Sequence, residues 1–279
     1  MPTARVADDL NMHYVIDDFT DPWRKPETVL LLHGSGESHA MWYGWVPHLA
    51  RHLRVVRPDM RGFGGSTPMP REYPWELNRV VDDFATLMQQ LGIARYHLVG
   101  AKIAGTIARR FAARYVDQVL TLTLIGTPPP RRDHEPGTLD TWLPLIEREG
   151  MASWARSTMA GRLGSQFPPE GLAWWANHLM GRTATSTALG FMSTIPTWDV
   201  AADLPHIKCP TLVITTEGSA LGSVAAMRQW QQKIPNSTLL ALPGASFHAA
   251  ATDADRCAQE TRDFILRARA GLSTALGLS

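Results

Sequence analysis

The sequence predicts an α/β protein whose doubly wound, mostly parallel sheet is built from βαβ units. Short aliphatic or β-branched runs recur along the chain, and two stretches with helical spacing of apolar residues, 77–92 and 103–115, lie between the middle runs. Strands that alternate with helices in this way indicate parallel pairing. The run VLLL at 29–32 shows no polar alternation, which is typical of a strand covered by helices on both faces. The predicted strands are 12–16, 29–33, 53–57, 96–100, 120–126, 211–216 and 237–244.

The alternation of strands and helices stops at Thr127, which predicts a helical insertion in the sheet domain. We name residues 128–199 the cap, and residues 1–127 and 200–279 the core. Five of the ten tryptophans lie in the cap. A tryptophan there can simply pack the cap onto the core, or it can line an apolar pocket between the two, where ligands often bind. The tryptophans expected to contact substrate are Trp142, Trp154, Trp174 and Trp175, and the fifth is Trp198.

The charge and composition exclude several classes of partner. With 27 Lys and Arg against 26 Asp and Glu, the net charge of +1 predicts binding to neither nucleic acid nor a membrane surface. Hydrophobic residues make up 44% of the chain and charged residues 19%, which is typical of a globular protein with a packed core. No apolar run approaches the roughly 18 residues that a membrane span needs.

The cysteines and the N-terminus indicate the compartment and the cofactor requirement. Cys209 and Cys257 can form at most one disulfide, and the first residues lack a signal-peptide pattern, so we expect a cytoplasmic protein. The chain has no Cys-x-x-Cys, so we expect no metal and no cofactor. The expected partner is a small-molecule substrate, with a homodimer as one assembly that folds of this kind often adopt.

Three glycine-containing segments follow predicted strands. The first, HGSG at 33–36, comes directly after the strand at 29–33. The second, DMRGFGGS at 59–66, has glycines that permit a tight turn. The third, GAKIA at 100–104, joins a strand to a predicted helix.

Together these segments resemble the α/β-hydrolase fold superfamily over about residues 10–127 and 200–268. The resemblance implies an eight-stranded-type sheet with an inserted helical cap. It also implies that the backbone N–H groups of Ser35 and Ile103 form an oxyanion hole. His33 and Gly34 then lie at the substrate site, where the family gives the histidine a structural role.

The strand-to-helix elbow differs from the family pattern at its central residue. The family has Ser, Asp or Cys at the nucleophile position, and this sequence has Lys102. Attack by an amine on an ester would give a stable amide, so the usual two-step acyl-enzyme route is excluded. Partial burial and the positive end of the following helix favour a neutral amine, which can form a Schiff base with a ketone or act as a general base. A charged Lys102 would instead anchor a carboxylate or stabilise an enolate.

The resemblance also implies a histidine and an acid after the cap. His248 follows the last predicted strand, in the loop that carries the family's catalytic histidine, although one residue later than usual. Ser219 occupies the nominal acid position, and Glu217 is the nearest carboxylate, so Glu217 is the expected partner of His248. Asp199 and Asp203 are weaker alternatives, because capping a helix or anchoring the cap explains them equally well.

These residues leave an enzyme and a receptor as possible functions. The enzyme would act on a small apolar or aromatic carbonyl compound, such as an ester, lactone, β-diketone or β-keto acid. Either His248 activates water while Lys102 binds a substrate carboxylate or enolate, or Lys102 forms an iminium that drives decarboxylation or C–C cleavage. A non-catalytic ligand receptor or pseudoenzyme would explain the missing serine, but not a lysine that is costly to bury at an intact elbow.

Overall fold

Eight strands form one sheet in the computed structural model, which describes residues 2–131, 138–164 and 166–275. The strands are β1 (Thr3–Ala7), β2 (Leu10–Asp17), β3 (Thr28–Leu32), β4 (Arg54–Pro58), β5 (Tyr96–Ala101), β6 (Val119–Ile125), β7 (Thr211–Thr216) and β8 (Ser237–Leu242). Their order in the sheet is β1-β2-β4-β3-β5-β6-β7-β8. The pairs β1 with β2 and β2 with β4 are antiparallel, and the other pairs are parallel. The predicted α/β class with a mostly parallel sheet is confirmed.

All seven predicted strands are present, and the sequence analysis missed β1. This strand lies at the edge of the sheet and pairs only with β2. Its residues are exposed or half-buried, so it lacks the continuous apolar run that identifies the central strands. An edge strand of this kind gives a weak hydrophobic signal because one of its sides has no neighbouring strand.

Helices connect the strands on both faces of the sheet. The α-helices are α1 (Val46–Leu49), α2 (Leu77–Gln90), α3 (Ala104–Arg114), α4 (Thr138–Leu163), α5 (Pro169–Trp174), α6 (Thr185–Thr194), α7 (Val224–Gln231), α8 (Ala249–Thr252) and α9 (Ala254–Ala275). Short 3-10 helices span His39–Trp42, Met180–Arg182, Ile195–Thr197 and Ala201–His206, and a π-helical turn spans Trp175–Leu179.

The central strands are buried on both faces, as a doubly wound sheet requires. In β3, Leu30 and Leu32 pack in the hydrophobic cluster that contains α2 and α3. Val29 and Leu31 point the other way, into the cluster that contains residues of α1 and α9. Because successive side chains of a strand face opposite sides, this five-residue strand supplies both halves of the core.

Helices α4, α5 and α6 lie between β6 and β7, in the segment predicted as the cap. Helix α4 is broken at Gly150, which has φ 79° and ψ 170°, and its last turn carries Arg162. Residues 132–137 and 165 of the predicted cap, and residues 276–279 of the predicted core, lie outside the described residues. The domain boundaries therefore stay a prediction. Within the described residues, no helix has both the length and the apolar character that crossing a membrane requires.

Candidate active site

The elbow between β5 and α3 holds Lys102 in a conformation that non-glycine residues rarely adopt. Its φ is 54°, and among the described residues it is the only non-glycine with positive φ. The Lys102 N–H donates to the carbonyl of Ile125 at 2.9 Å, so the elbow residue is still tied to β6. At Gly100 an added Cβ would lie 2.6 Å from the Ala104 carbonyl oxygen, so the turn is too tight for a side chain there. The strained backbone aims Lys102 outward from the strand end.

The Lys102 ammonium forms a buried ion pair with Glu37, a residue of the loop after β3. Nζ donates a hydrogen bond to Oε1 of Glu37. The other carboxylate oxygen, Oε2, accepts the N–H of Gly34 at 2.8 Å. Lys102 is 8% exposed and Glu37 1%. Glu37 therefore neutralises a charge that would be expensive to bury alone.

His248 completes a group of three side chains, Lys102, Glu37 and His248, which we call the Lys–Glu–His set. Its Nδ1 lies 3.4 Å from Lys102 Nζ and 3.9 Å from Glu37 Oε1. The ring packs edge-on against Trp175, with centroids 6.1 Å apart. The backbone N–H of His248 donates to Ser246 Oγ at 3.0 Å, which fixes the loop that carries the ring.

Burial and neighbouring charges set the protonation of this set. Burial lowers the pKa of Lys102 to about 8, because it outweighs the opposing effect of the Glu37 carboxylate. The pKa of His248 lies well below its ordinary value, first because of burial and then because of the charges of Lys102 and Arg162. At pH 7 His248 is therefore neutral, and the Lys102 ammonium gives up its proton more readily than a solvated lysine does.

Ser35 and Ile103 are the two residues whose backbone N–H groups we expect to form the oxyanion hole. Both residues line the same cavity as Lys102. Within the described part of the chain, neither of their backbone N–H groups donates a hydrogen bond, so both are available to a ligand. His33 is buried and supports this loop, since its Nδ1 bonds the Gly34 carbonyl at 2.8 Å and its Nε2 accepts the N–H of Met60 at 2.9 Å. The geometry matches a role for His33 in holding the loop.

The cavity has a volume of about 920 Å³ and reaches from the elbow to the cap. Trp142 and Trp154 line it. Trp174 and Trp175, which were expected to contact substrate, are not among its lining residues. Trp174 instead packs on Tyr43, with centroids 5.3 Å apart, and Trp175 packs behind the cavity against His248.

The structure does not bring Glu217 to His248. The Glu217 side chain is exposed, and in the described part of the chain it makes no hydrogen bond or ion pair with the histidine. The carboxylate beside His248 belongs to Glu37. Asp199 accepts the N–H of Ala201 at 2.8 Å and Asp203 bonds Arg110 at 2.6 Å, which are capping and anchoring contacts.

Two candidate functional residues, Glu37 and Arg162, were not predicted from the sequence. A signal for Glu37 was available, because a lysine buried at the elbow requires a carboxylate and Glu37 lies three residues after Gly34. Arg162 had no comparable signal. It is one of several arginines in the cap, and only the folded chain shows that it is 8% exposed and lines the cavity.

A second cluster of titratable groups lies in the core around Asp59. His13 Nδ1 and His39 Nδ1 bond its carboxylate at 2.7 and 2.9 Å. These three residues could offer ligand atoms to a metal ion, since the atoms lie within 4.8 Å of one another. In this arrangement both Nδ1 atoms and the carboxylate satisfy each other. Burial would raise the pKa of Asp59, but the His39 hydrogen bond and the neighbouring histidines lower it to about 2.

Comparison with known proteins identifies the family. The family described as "alpha/beta hydrolase fold" matches residues 27–254. A putative carbamate hydrolase RutD from Caulobacter sp. strain K31 is 26% identical over 221 residues, which are 76% of this chain and 81% of the relative. A 2-hydroxy-6-oxo-2,4-heptadienoate hydrolase from Pseudomonas putida is 37% identical over 101 residues, 35% of this chain and 36% of the relative.

The crystal structure of the enol-lactonase from Burkholderia xenovorans LB400 superimposes with a TM-score of 0.82. It is 26% identical in sequence, and the match covers 95% of this chain and 100% of the other. These relatives are named for hydrolytic reactions on small molecules. The sheet order, the elbow and the family match together show that the chain belongs to the α/β-hydrolase fold family, and its relatives support a hydrolase activity.

Proposed function

We propose that this enzyme cleaves a small apolar or aromatic β-dicarbonyl compound through an iminium on Lys102, without a cofactor and without a serine acyl-enzyme. One observation carries the proposal. Of the Lys–Glu–His set, Lys102 lines the cavity, whereas Glu37 and His248 are buried and are not among the lining residues. The group that can touch a substrate is therefore the amine, and the carboxylate and imidazole are placed to exchange protons with it.

The reaction begins when Lys102 gives a proton to Glu37, the carboxylate to which its Nζ is hydrogen-bonded. The neutral amine adds to a ketone, and loss of one water gives the iminium. In a β-diketone, a second water then adds to the other carbonyl, and the N–H groups of Ser35 and Ile103 hold its oxyanion. The C–C bond breaks, its electrons form an enamine on Lys102, and a carboxylic acid leaves.

Protonation and hydrolysis of the enamine release a ketone and restore Lys102. The cycle consumes one water in total, so the reaction is a hydrolysis. A β-keto acid would follow the same path with loss of carbon dioxide in place of water addition. His248 Nδ1, 3.4 Å from Nζ, is placed to relay protons during formation and hydrolysis of the iminium.

The names of the relatives support a carbonyl substrate. The Pseudomonas putida relative is named for an oxo carboxylate, and the Burkholderia xenovorans structure is that of an enol-lactonase. Both names describe carbonyl compounds, a ketone in one and a lactone in the other. An iminium can activate a ketone, and an oxyanion hole can activate either. The proposal extends this substrate class to the present chain.

A second candidate is direct hydrolysis of an ester or lactone by water. The observation that favours it is the Lys102–Glu37 ion pair, because at pH 7 most of Lys102 remains an ammonium. In this mechanism the ammonium stabilises a developing anion, and Glu37 or His248 takes the proton of the attacking water. Lys102 is then needed for its charge and not for its nucleophilicity.

Borohydride trapping separates the two mechanisms. The protein is incubated with a panel of β-diketones, β-keto acids, esters and lactones, with and without sodium borohydride, and analysed by intact and peptide mass spectrometry. We expect a reduced adduct on Lys102 with the β-dicarbonyl compounds that are turned over. Lys102→Arg is the matched control, since it keeps a positive charge beside Glu37 but forms no iminium.

Loss of both adduct and turnover in Lys102→Arg supports the iminium. If Lys102→Arg retains turnover of an ester or lactone and His248→Gln abolishes it, direct hydrolysis is the correct mechanism. Turnover of a β-dicarbonyl compound with no adduct on Lys102 contradicts the proposal. A complete absence of turnover, combined with tight binding of an aromatic ligand, would assign the protein to the receptors.

A further inference from the structure

Arg162, in the last turn of α4, is a buried cation that faces the cavity. It is 8% exposed, and it lines the same cavity as Lys102. Its Nε is buried and has no hydrogen-bond partner among the described residues. In the part of the chain that the structure describes, no carboxylate forms an ion pair with it. Buried arginines are normally paired, so this one needs an explanation.

Among the described residues, the groups that touch the Arg162 guanidinium are neutral. One amino group donates to Met180 Sδ at 3.1 Å, and a thioether is a weak acceptor. The guanidinium carbon lies 4.7 Å from the ring centroid of Trp154 and 5.7 Å from that of Trp142. These indoles orient and stabilise the cation without cancelling its charge.

The charges around the cavity leave a positive excess. Lys102 and Arg162 are cationic and Glu37 is anionic, while His248 is neutral at pH 7. Of the other lining residues, Arg131 and Asp140 are exposed and carry opposite charges. The described residues of the site therefore hold one uncompensated positive charge, which an anionic ligand would neutralise.

Arg162 is also tied to the loop that holds His248. Ser246 Oγ donates to the Arg162 carbonyl at 3.1 Å, and the same oxygen accepts the N–H of His248 at 3.0 Å. The charge of Arg162 contributes to the lowered pKa of both Lys102 and His248, so the guanidinium lies close to the reacting groups. Ser246 thus ties the backbone of Arg162 to the loop that carries His248.

We infer that Arg162 binds a carboxylate of the substrate, so that the substrate class is a carbonyl compound carrying a carboxylate on an apolar or aromatic chain. A guanidinium carries parallel N–H donors that a carboxylate accepts, and Arg162 is a cavity-lining cation that no carboxylate of the described residues pairs with. Trp142 and Trp154 contact the apolar part between the carboxylate and the carbonyl that faces Lys102. That the substrate carries a carbonyl group rests on the proposed function. That Arg162 binds a carboxylate does not.

Binding of unreactive ligands tests the inference without any catalysis. The probes are matched pairs of an acid and its primary amide: benzoate and benzamide, 3-phenylpropanoate and 3-phenylpropanamide, 4-phenylbutanoate and 4-phenylbutanamide. Each is titrated calorimetrically at pH 7 into the wild-type protein. We expect at least one acid to bind about tenfold or more tightly than its amide, as a charge-assisted two-point hydrogen bond provides.

Arg162→Gln should remove this preference by weakening acid binding about tenfold or more, while amide binding changes by less than about threefold. Arg156→Gln is the control, because Arg156 is an exposed arginine on the same helix and the charge change is identical. Arg162→Lys keeps the charge and should retain part of the preference. Circular dichroism and the melting temperature of each variant verify the fold. If Arg162→Gln does not fold, Arg162→Lys is the test, and its preference for the acid over the amide should be smaller than that of the wild type.

The inference is wrong if no acid binds the wild type more tightly than its amide. It is also wrong if Arg162→Gln keeps the preference and Lys102→Met loses it, since Lys102 would then be the carboxylate anchor. The probes carry no ketone, so their binding is independent of the iminium. Failure to trap an adduct on Lys102, with the Arg162 result intact, would overturn the proposed function alone.

Discussion

At the residue scale, the candidate site is built around the ion pair between Lys102 and Glu37. A lysine buried without a counterion would lose its proton at neutral pH or destabilise the fold. A glutamate buried without a cation would carry the same penalty. Together they stay buried in contact with each other, with Glu37 also bonded to the N–H of Gly34. The result is an amine whose proton has a defined acceptor.

The iminium mechanism predicts a pH profile set by Lys102. For a β-dicarbonyl substrate, kcat/KM should rise about tenfold per pH unit and level off above about pH 8, because the reactive form is the neutral amine of the free enzyme. Steady-state kinetics from pH 6 to 10 check this. A profile that is flat between pH 6 and 9 would contradict it.

Glu37→Gln tests whether the Glu37 carboxylate sets the position of this pH profile. The Glu37 carboxylate raises the pKa of Lys102, so its removal should move the rising limb to lower pH. The plateau should also fall, because the proton acceptor is lost. A limb that moves to higher pH would show that Glu37 does not act through its charge on Lys102.

At the element scale, close packing of the elbow against its neighbours fixes the position of Lys102. Helix α3 begins two residues after Lys102, and Gly105 lies in its first turn. An added Cβ at Gly105 would lie 1.9 Å from Thr127 Cγ2. The small residue therefore lets α3 approach the segment that follows β6.

Two glycine-to-alanine substitutions in helices should have opposite effects on stability. Gly105→Ala should lower the free energy of unfolding by about 1–3 kcal/mol, because the contact with Thr127 is too close to relax without movement of the helix. Gly161→Ala, in α4, meets no atom within 4 Å and should raise it by up to about 1 kcal/mol through helix propensity. Urea unfolding measures both. Equal effects at the two positions would show that α3 has room at Gly105.

At the scale of the whole molecule, one buried arginine joins segments from the start of the chain to α2. Arg61 is fully buried and bonds both carboxylate oxygens of Asp83, at 2.8 and 2.7 Å. It also pairs with Asp9, in the turn between β1 and β2, at 2.9 Å. The two partners compensate most of the cost of burying the guanidinium.

Arg61→Met should therefore reduce the free energy of unfolding by about 3 kcal/mol or more, because Asp83 would remain buried without a cation. Arg71→Met is the control, since Arg71 pairs with Glu147 on the surface and its loss should leave the unfolding midpoint unchanged. Urea titration followed by tryptophan fluorescence gives both values. Similar losses in the two variants would mean that the buried network is not what stabilises this region.

Local sequence signals were sufficient for most of the fold. Apolar runs identified β2 to β8, because strands buried on both faces leave a continuous pattern in the sequence. The edge strand β1 left no such pattern. The elbow and the position of His248 were also predictable, since both lie next to strand ends that the motifs mark.

The contacts around Lys102 join residues far apart in the chain, and no local pattern records them. Lys102 meets Glu37 across 65 residues and His248 across 146. Glu217 was a reasonable expectation from its nearness to the acid position, but its side chain is exposed. The four cap tryptophans expected to contact substrate looked equivalent in the sequence. Trp142 and Trp154 line the cavity, whereas Trp174 and Trp175 do not.

The sequence by itself determined the α/β sheet, the family and a lysine at the elbow, because strand periodicity and glycine-dependent turns are properties of short segments. The tertiary structure alone decided that Glu37 is the buried partner of that lysine and that Arg162 faces the cavity. The physical reason is that a buried charge is stabilised by groups brought to it through space, and those groups come from loops and helices whose meeting depends on the packing of the entire fold.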